Sequence, residues 1–426
     1  MNRSLRLHLP LAGIWLGLTS APAATLAPEE QKIIAYIDAH AAGFAPELAR
    51  LVEIDSPTEN LSGVRQMGEY FVREFAPLGF EAHFVPLPAA TKRAGHFVAT
   101  RTGLHGKRLL LIGHLDTVLP GGKFNREGDR AIGSGAGDMK GGDLVLLQAL
   151  RALHSVGALD GTTLNVIMTG DEEDPGEPMD ISRRDLREAA ARSDLALGFE
   201  NAIGTTATVA RRGIVSWSLE VQGATGHSSG IFSAAAGGGA VYEAARILMA
   251  FYEQLRSMDG ITCNPALLTG GTEADIVTTK ATAFGKTNII AQRTLVKGDL
   301  RYLSAEQLTE AKARMQAIVS KGLPRTSAIL TFENDGYPAM APAPGNYALL
   351  AQLDQVSRDL GFGEVKPFDP KGRGAGDISI VAPPLPGLDG LGLRGEGAHT
   401  PHEYADLASA PELTKRTALL IYRLTR

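Results

Sequence analysis

Four apolar runs bounded by turn residues, His96–Thr100, Leu109–Gly113, Leu164–Gly170 and Leu195–Phe199, constrain this chain more than any other feature. They read as strands. Between the second and third lies Lys140–Val156, a helix pattern rich in Leu on more than one face. Strands alternating with such helices indicate an α/β fold, a mostly parallel sheet flanked by helices on both faces. The chain leads into this pattern with helices. Pro28 before Glu29 and Glu30 is a helix start, Ile33, Ile34, Ile37 and Ala41 then share a face, and Val64, Met67, Phe71 and Leu78 repeat the period.

From Gly213 the texture changes. Val215, Trp217, Leu219 and Val221 alternate as in a half-buried strand, and Ala234–Leu255 is a long Ala-rich helix pattern. Thr287–Leu303 is strand-like, Ser304 and Gln307 form a capping box, and Ala328–Phe332 closes the unit. This order is close to β-α-β-β-α-β, a ferredoxin-like α+β unit. A Pro-rich segment, Tyr337–Pro344, follows as a hinge before an α/β pattern resumes. The expected organisation is a leader over 1–23, a larger domain in two parts (24–212 and 337–426), and a smaller domain inserted over 213–336.

Composition narrows the partners. With 42 basic and 47 acidic residues in 426, the net charge is −5. No run of Lys and Arg makes a local field for nucleic acid, which is excluded as a partner. The single cysteine, Cys263, allows no intrachain disulfide and no CxxC motif. Any metal must be held by His, Asp and Glu. At the amino end, Arg3 and Arg6, the apolar run Leu7–Leu18 and the small residues Ala21-Pro22-Ala23 read as a secretory signal. The run stops short of the roughly 20 residues that span a bilayer. The expected product is a secreted or periplasmic protein that does not engage a membrane after processing.

The chemistry sits where the apolar runs end, since ligands of open parallel sheets bind at the carboxyl ends of the strands. One run ends in His114-Leu115-Asp116, another in Asp171-Glu172-Glu173, a third in Glu200; Gly390–Leu393 leads to Glu396 and His399. Asp138 lies in a Gly-rich loop at a helix start, Gly133 to Gly142. That loop lacks the GxxxxGK[ST] pattern of a phosphate site. Singly, each element could be a loop hydrogen bond or a solvated acidic patch. Together they crowd carboxylates that repel unless a cation pairs them. With His and carboxylate donors and no thiolate, Zn, Mn or Co would suit.

His114-Leu115-Asp116-Thr117-Val118, the Gly-Asp-Met-Lys-Gly-Gly around Asp138, Asp171-Glu172-Glu173, Glu200 and His399-Thr400-Pro401 resemble the ordered motifs of the aminoacylase and glutamate carboxypeptidase family of di-zinc metallopeptidases. The resemblance implies two Zn2+ (Mn2+ or Co2+ possible in their place), with His114 and Glu200 on one, Glu173 and His399 on the other, and Asp138 bridging. It implies that 24–212 and 337–426 form the catalytic domain and that 213–336 is a lid or dimerisation domain, with Asp116 as the residue orienting His114, Glu172 as general base, and a homodimer in which His227 reaches the partner subunit's site. Arg212, Asn288, Arg301 and Asp377 are candidate substrate contacts, although Gly376 stands where the family loop has Ser before Asp377. The implied activity is cleavage of an amide bond to release a C-terminal amino acid from a peptide or N-acyl amino acid. An N-acyl amino acid deacylase on the same site, and a catalytically silent binding protein on this scaffold, are the alternatives.

Overall fold

The computed structural model describes residues 26–333, 336–382 and 384–426; the leader expected over 1–23 lies outside the described residues. From the amino end, α1 (Pro28–His40) and α2 (Leu61–Phe75) lead into β1 (Glu81–Pro86), β2 (Gly95–Arg101) and β3 (His105–His114). Helix α3 (Lys140–Ser155) and strands β4 (Thr162–Thr169) and β5 (Leu195–Gly198) follow. The starts of α1 and α2 have local causes. Glu30 accepts from the Ala27 amide at 2.9 Å, and Asn60 caps α2 by accepting from Gly63 N at 3.2 Å.

The chain then builds a separate sheet from β6 (Gly213–Gly223), α4 (Gly239–Leu255), β7 (Thr262–Gly271), a hairpin of β8 (Glu273–Val277) and β9 (Lys280–Phe284), β10 (Arg293–Tyr302), α5 (Ala305–Val319) and β11 (Thr326–Phe332). Its strands run in the order β7-β10-β6-β11, all antiparallel, the ferredoxin-like arrangement. Val215, Trp217, Leu219 and Val221 alternate into a core with Ile247 and Phe251 of α4 and Met315 and Ile318 of α5. Ser304 Oγ accepts from Gln307 N at 3.2 Å, so Ser304 caps α5, but Gln307 Oε1 accepts from Leu303 N at 2.7 Å rather than from Ser304 N, so the expected capping box is only half formed.

Three details differ from the sequence reading. Helix α4 begins at Gly239 rather than Ala234, because Gly237 and Gly239 take φ values of 65° and 73° and delay the helix. Strand β10 begins at Arg293 rather than Thr287. Strand β7 and the β8–β9 hairpin were not anticipated: Pro265 sits at a bulge in β7, and the hairpin is mostly exposed, so neither carries a clean apolar period.

After β11 the chain returns through Tyr337–Pro344. This is no slack hinge: Met340 N donates to Arg211 O at 3.1 Å, and Arg211 N to Met340 O at 3.0 Å, which pairs the two crossovers. Helix α6 (Pro344–Asp359), β12 (Gly387–Leu388) and α7 (Ala410–Leu424) complete the larger unit. Its sheet has the order β1-β2-β4-β3-β5-β12. Strands β4, β3, β5 and β12 are parallel; β1 and β2 add an antiparallel edge. The apolar runs are unbroken because successive residues enter two cores. Leu109, Leu111, Val166, Met168 and Leu197 face the side covered by α1, α3 and α7, while Leu110, Ile112, Ile167 and Ala196 face Leu186, Ile378 and Val381. Burying each such side chain contributes about 1.5–3 kcal/mol, more than the ~1 kcal/mol net of a ladder hydrogen bond. Hydrophobic burial on both faces therefore fixes where the strands end, and with that where His114 and Glu200 stand. Among the described residues no helix is long and apolar enough to cross a membrane.

Candidate metal centre

The carboxyl ends of β3, β4 and β5 bring together side chains from five places in the chain. His114 closes β3 with its side chain 1% exposed. Its Nε2 lies 3.2 Å from Asp138 Oδ1 and 3.8 Å from Glu200 Oε1. On the other side of Asp138, Oδ2 is 3.3 Å from His399 Nε2, and that nitrogen is 3.1 Å from Glu173 Oε2. The Asp138 carboxylate thus has one oxygen on each imidazole. Three groups of donor atoms, His114–Asp138–Glu200, His114–Glu172–Glu173 and Asp138–Glu173–His399, each lie within 4.8 Å of one another.

Burial and close neighbours set the charges of the cluster. Burial raises Glu200 to about 7 despite the opposing Arg211. Burial also raises Glu172 well above the usual carboxylate range, and Glu200 adds to this; Glu173 is raised for the same first reason. Burial would raise Asp138 too, but hydrogen bonds from His114 and His399 hold it well below its ordinary value. His399 is pushed up to about 10 by Asp138 and Glu173. Burial opposes protonation of His114, yet Asp116 and Asp138 carry it well above 6.5. Protonated imidazoles stand in for cations among these carboxylates. The donor set of two imidazoles and three carboxylates, without thiolate, fits a pair of divalent ions. The buried Arg211 Nη2, without a hydrogen-bond partner among the described residues, lies 3.6 Å from Glu200 Oε2 and steadies the second oxygen of a carboxylate whose first faces His114.

The surrounding residues hold the donors in place. Asp116 does more than face His114. The imidazole Nδ1 is 3.0 Å from the Asp116 main-chain carbonyl and 3.5 Å from its carboxylate. The Asp116 carboxylate instead accepts from Thr58 Oγ1 at 2.7 Å and from the amides of Glu172 and Glu173 at 3.1 Å each. Glu403, 5% exposed, accepts from the amides of Gly135, Gly137 and Asp138 at 2.9, 2.9 and 3.0 Å, tying the Asp138 loop to the segment that carries His399. His399 itself has φ 64°, in the left-handed region that non-glycine residues seldom adopt.

Of the candidate substrate contacts, Asp377 borders the donor groups, lining one small cavity with His114, Glu172 and Glu200. It is 3% exposed and is engaged by Arg183 Nε at 2.8 Å, by Thr169 Oγ1 and by Tyr337 Oη at 3.2 Å, so its carboxylate is also a buried ion-pair partner. Arg212 donates to Lys371 O at 2.9 Å, away from the donor cluster. Its neighbour Arg211 is the inward residue, donating from Nε to Asp389 at 2.6 Å and from Nη1 to Ala375 O at 2.6 Å. Arg301 lies on β10 and pairs with Asp299 at 3.3 Å. Asn288 accepts through its carbonyl from Ser228 N at 3.0 Å, beside the exposed His227, whose Nδ1 meets Ser229 Oγ at 2.8 Å. Among the described residues, His227, Asn288 and Arg301 form no hydrogen bond or ion pair with the donor cluster of their own chain.

Fold and donor set together define a metal-dependent hydrolase. Residues 110–423 match peptidase family M20/M25/M40, and the chain belongs to that family. It is 26% identical over 392 residues to carboxypeptidase G2 from Pseudomonas sp. (strain RS-16), covering 88% of each chain. It is 35% identical over 165 residues to succinyl-diaminopimelate desuccinylase from Novosphingobium aromaticivorans, covering 35% of this chain and 43% of that one. Its fold matches that of a dinuclear metal-binding peptidase of family M20 from Bacillus subtilis with a TM-score of 0.62, at 14% identity over 91% of this chain and 99% of that one. The chain is therefore a metallopeptidase or amidohydrolase with a cluster of carboxylates and imidazoles that could hold metal ions.

Proposed function

We propose that the protein is an exported di-zinc carboxypeptidase that releases a C-terminal amino acid, glutamate foremost, from peptides or N-acyl conjugates. One observation carries the proposal: a carboxylate, Glu172, stands beside two donor groups that share Asp138. His114 and Glu200 would hold one ion, Glu173 and His399 the other, and Asp138 both. Such ions supply Lewis acidity toward a carbonyl and lower the pKa of a bound water. The Glu172 carboxylate takes the proton from the attacking water and delivers it to the leaving nitrogen. Asp116 orients the Glu172 amide and, through its own carbonyl, His114.

The full-length similarity to a carboxypeptidase supports release of a C-terminal residue. The shorter similarity to a desuccinylase supports the second reading, removal of an acyl group from an amino-acid nitrogen. A library of dipeptides and N-acyl amino acids, incubated with zinc-loaded protein and read for the free amino acid, separates them. Release of C-terminal glutamate from both kinds is expected. Turnover of the acyl compounds alone moves the assignment to a deacylase, and no turnover with or without added zinc defeats both.

We also read the protein as a homodimer. The support is an exposed stripe on α4, Val241, Tyr242, Met249 and Tyr252, each 47–60% accessible. His227 would then serve the partner subunit's site.

A further inference from the structure

Glu172 is held by its peptide at both ends. On one side, Asp116 Oδ1 accepts from Glu172 N at 3.1 Å. On the other, the Glu172 carbonyl accepts from the Tyr337 hydroxyl at 3.0 Å. Tyr337 belongs to a different part of the molecule. It lies on the segment that leaves the smaller unit, and its own carbonyl accepts from Ile214 N at 3.0 Å, at the first turn of chain into β6. One residue therefore joins the base of the lid by its backbone and the loop of the catalytic carboxylate by its side chain.

The hydroxyl is not free to wander. Arg183 Nη2 donates to it at 2.6 Å, and Asp377 Oδ1 lies 3.2 Å away. Arg183, fully buried, also bonds Asp171 Oδ1 at 2.6 Å and Asp377 Oδ1 at 2.8 Å. With Arg183 donating, the single phenolic proton faces two acceptors, the Glu172 carbonyl at 3.0 Å and Asp377 Oδ1 at 3.2 Å; Asp377 already receives Arg183 Nε and Thr169 Oγ1, whereas the nearer Glu172 carbonyl takes the phenol. Buried groups in such a network leave few alternative geometries. The network lies beneath the Glu172 loop, and neither the ion ligands nor the proton transfers make use of it.

We propose that Tyr337 is a positioning residue: its hydroxyl fixes the Glu172 peptide from the segment that leaves the lid, so that lid orientation and placement of the base are one adjustment. This rests on Glu172 being the base. The test is a double-mutant cycle on the full-length, zinc-loaded protein with Y337F and E172Q. Y337F should lower kcat roughly tenfold, the scale of one hydrogen bond, with KM and bound zinc unchanged. E172Q should lower kcat on the order of 10²-fold or more with its zinc retained. In the E172Q background the Y337F change should cost nothing further, because a group acting through Glu172 has nothing left to position.

A Y337F kcat within about twofold of the parent, or the same tenfold loss on top of E172Q, overturns the proposal. Turnover by E172Q near that of the parent removes the base assignment itself, and the role of Tyr337 with it, so the two failures are told apart. Should Y337F fold poorly, thermal melts and kcat per zinc-loaded molecule keep the comparison valid.

Discussion

Asp138 and the two imidazoles set how the site responds to pH. Without metal, His399 titrates near 10 and His114 well above its ordinary value, so both carry protons at neutral pH. An ion can bind only by displacing them. The sign follows: affinity for the ions rises with pH through the neutral range and falls as pH drops. At pH 7, zinc loading should release at least two protons per chain, one from each imidazole and a further fraction from Glu200, which burial raises to about 7. Calorimetric titrations in buffers of different ionisation enthalpy measure this, and a loading that releases none would contradict the ligand assignment. At this scale the sequence was legible wherever a residue ended an apolar run: His114, Glu173 and Glu200 are such residues, and they converge. The residues it missed, Arg211 and Glu403, act from flanking segments. Arg211 had a readable signal, because it keeps the two-residue period of Gly213, Val215 and Trp217, whereas Arg212 is out of phase. Glu403 had none; only folding brings its carboxylate to the amides around Asp138.

Elements place these residues through close backbone approaches. Helix α3 begins just after Asp138, and there Gly142 packs against the end of β5: a Cβ at this position would stand 1.9 Å from Phe199 O, the residue before Glu200. G142A should lower stability by about 1–3 kcal/mol, as overpacking does, and should weaken zinc binding on the His114–Glu200 side most. Thermal unfolding with a zinc titration checks both, and unchanged affinity would show that β5 yields without moving Glu200. The elements themselves were legible to different degrees. Strands buried on both faces announce themselves as unbroken apolar runs. The β8–β9 hairpin, with Val277 and Phe284 65% and 59% exposed, has no core to impose a pattern and so left no trace.

At the scale of the molecule, the smaller unit has its own core and its own exposed stripe on α4. Two expectations can be weighed together by native mass spectrometry of protein recovered from an export-competent host. A subunit mass short of the leader, near residue 23, and a two-subunit particle are expected. Full-length chains would end the export reading, and monomers at micromolar concentration would leave His227 without a second site to serve. Both readings lie beyond the fold of a single chain: export would be decided by a segment outside the described residues, and dimerisation by a surface whose counterpart would be another copy.

Arg211 and Met340 exchange backbone hydrogen bonds where the chain passes out to the smaller unit and comes back. Traffic in both directions thus uses one doorway. Such a module can lengthen, shrink or be traded for another during descent while the six-stranded platform and its metal ligands keep their register. Diversity of substrates within one architecture then needs no change to the catalytic floor, only a new roof hung on the same frame.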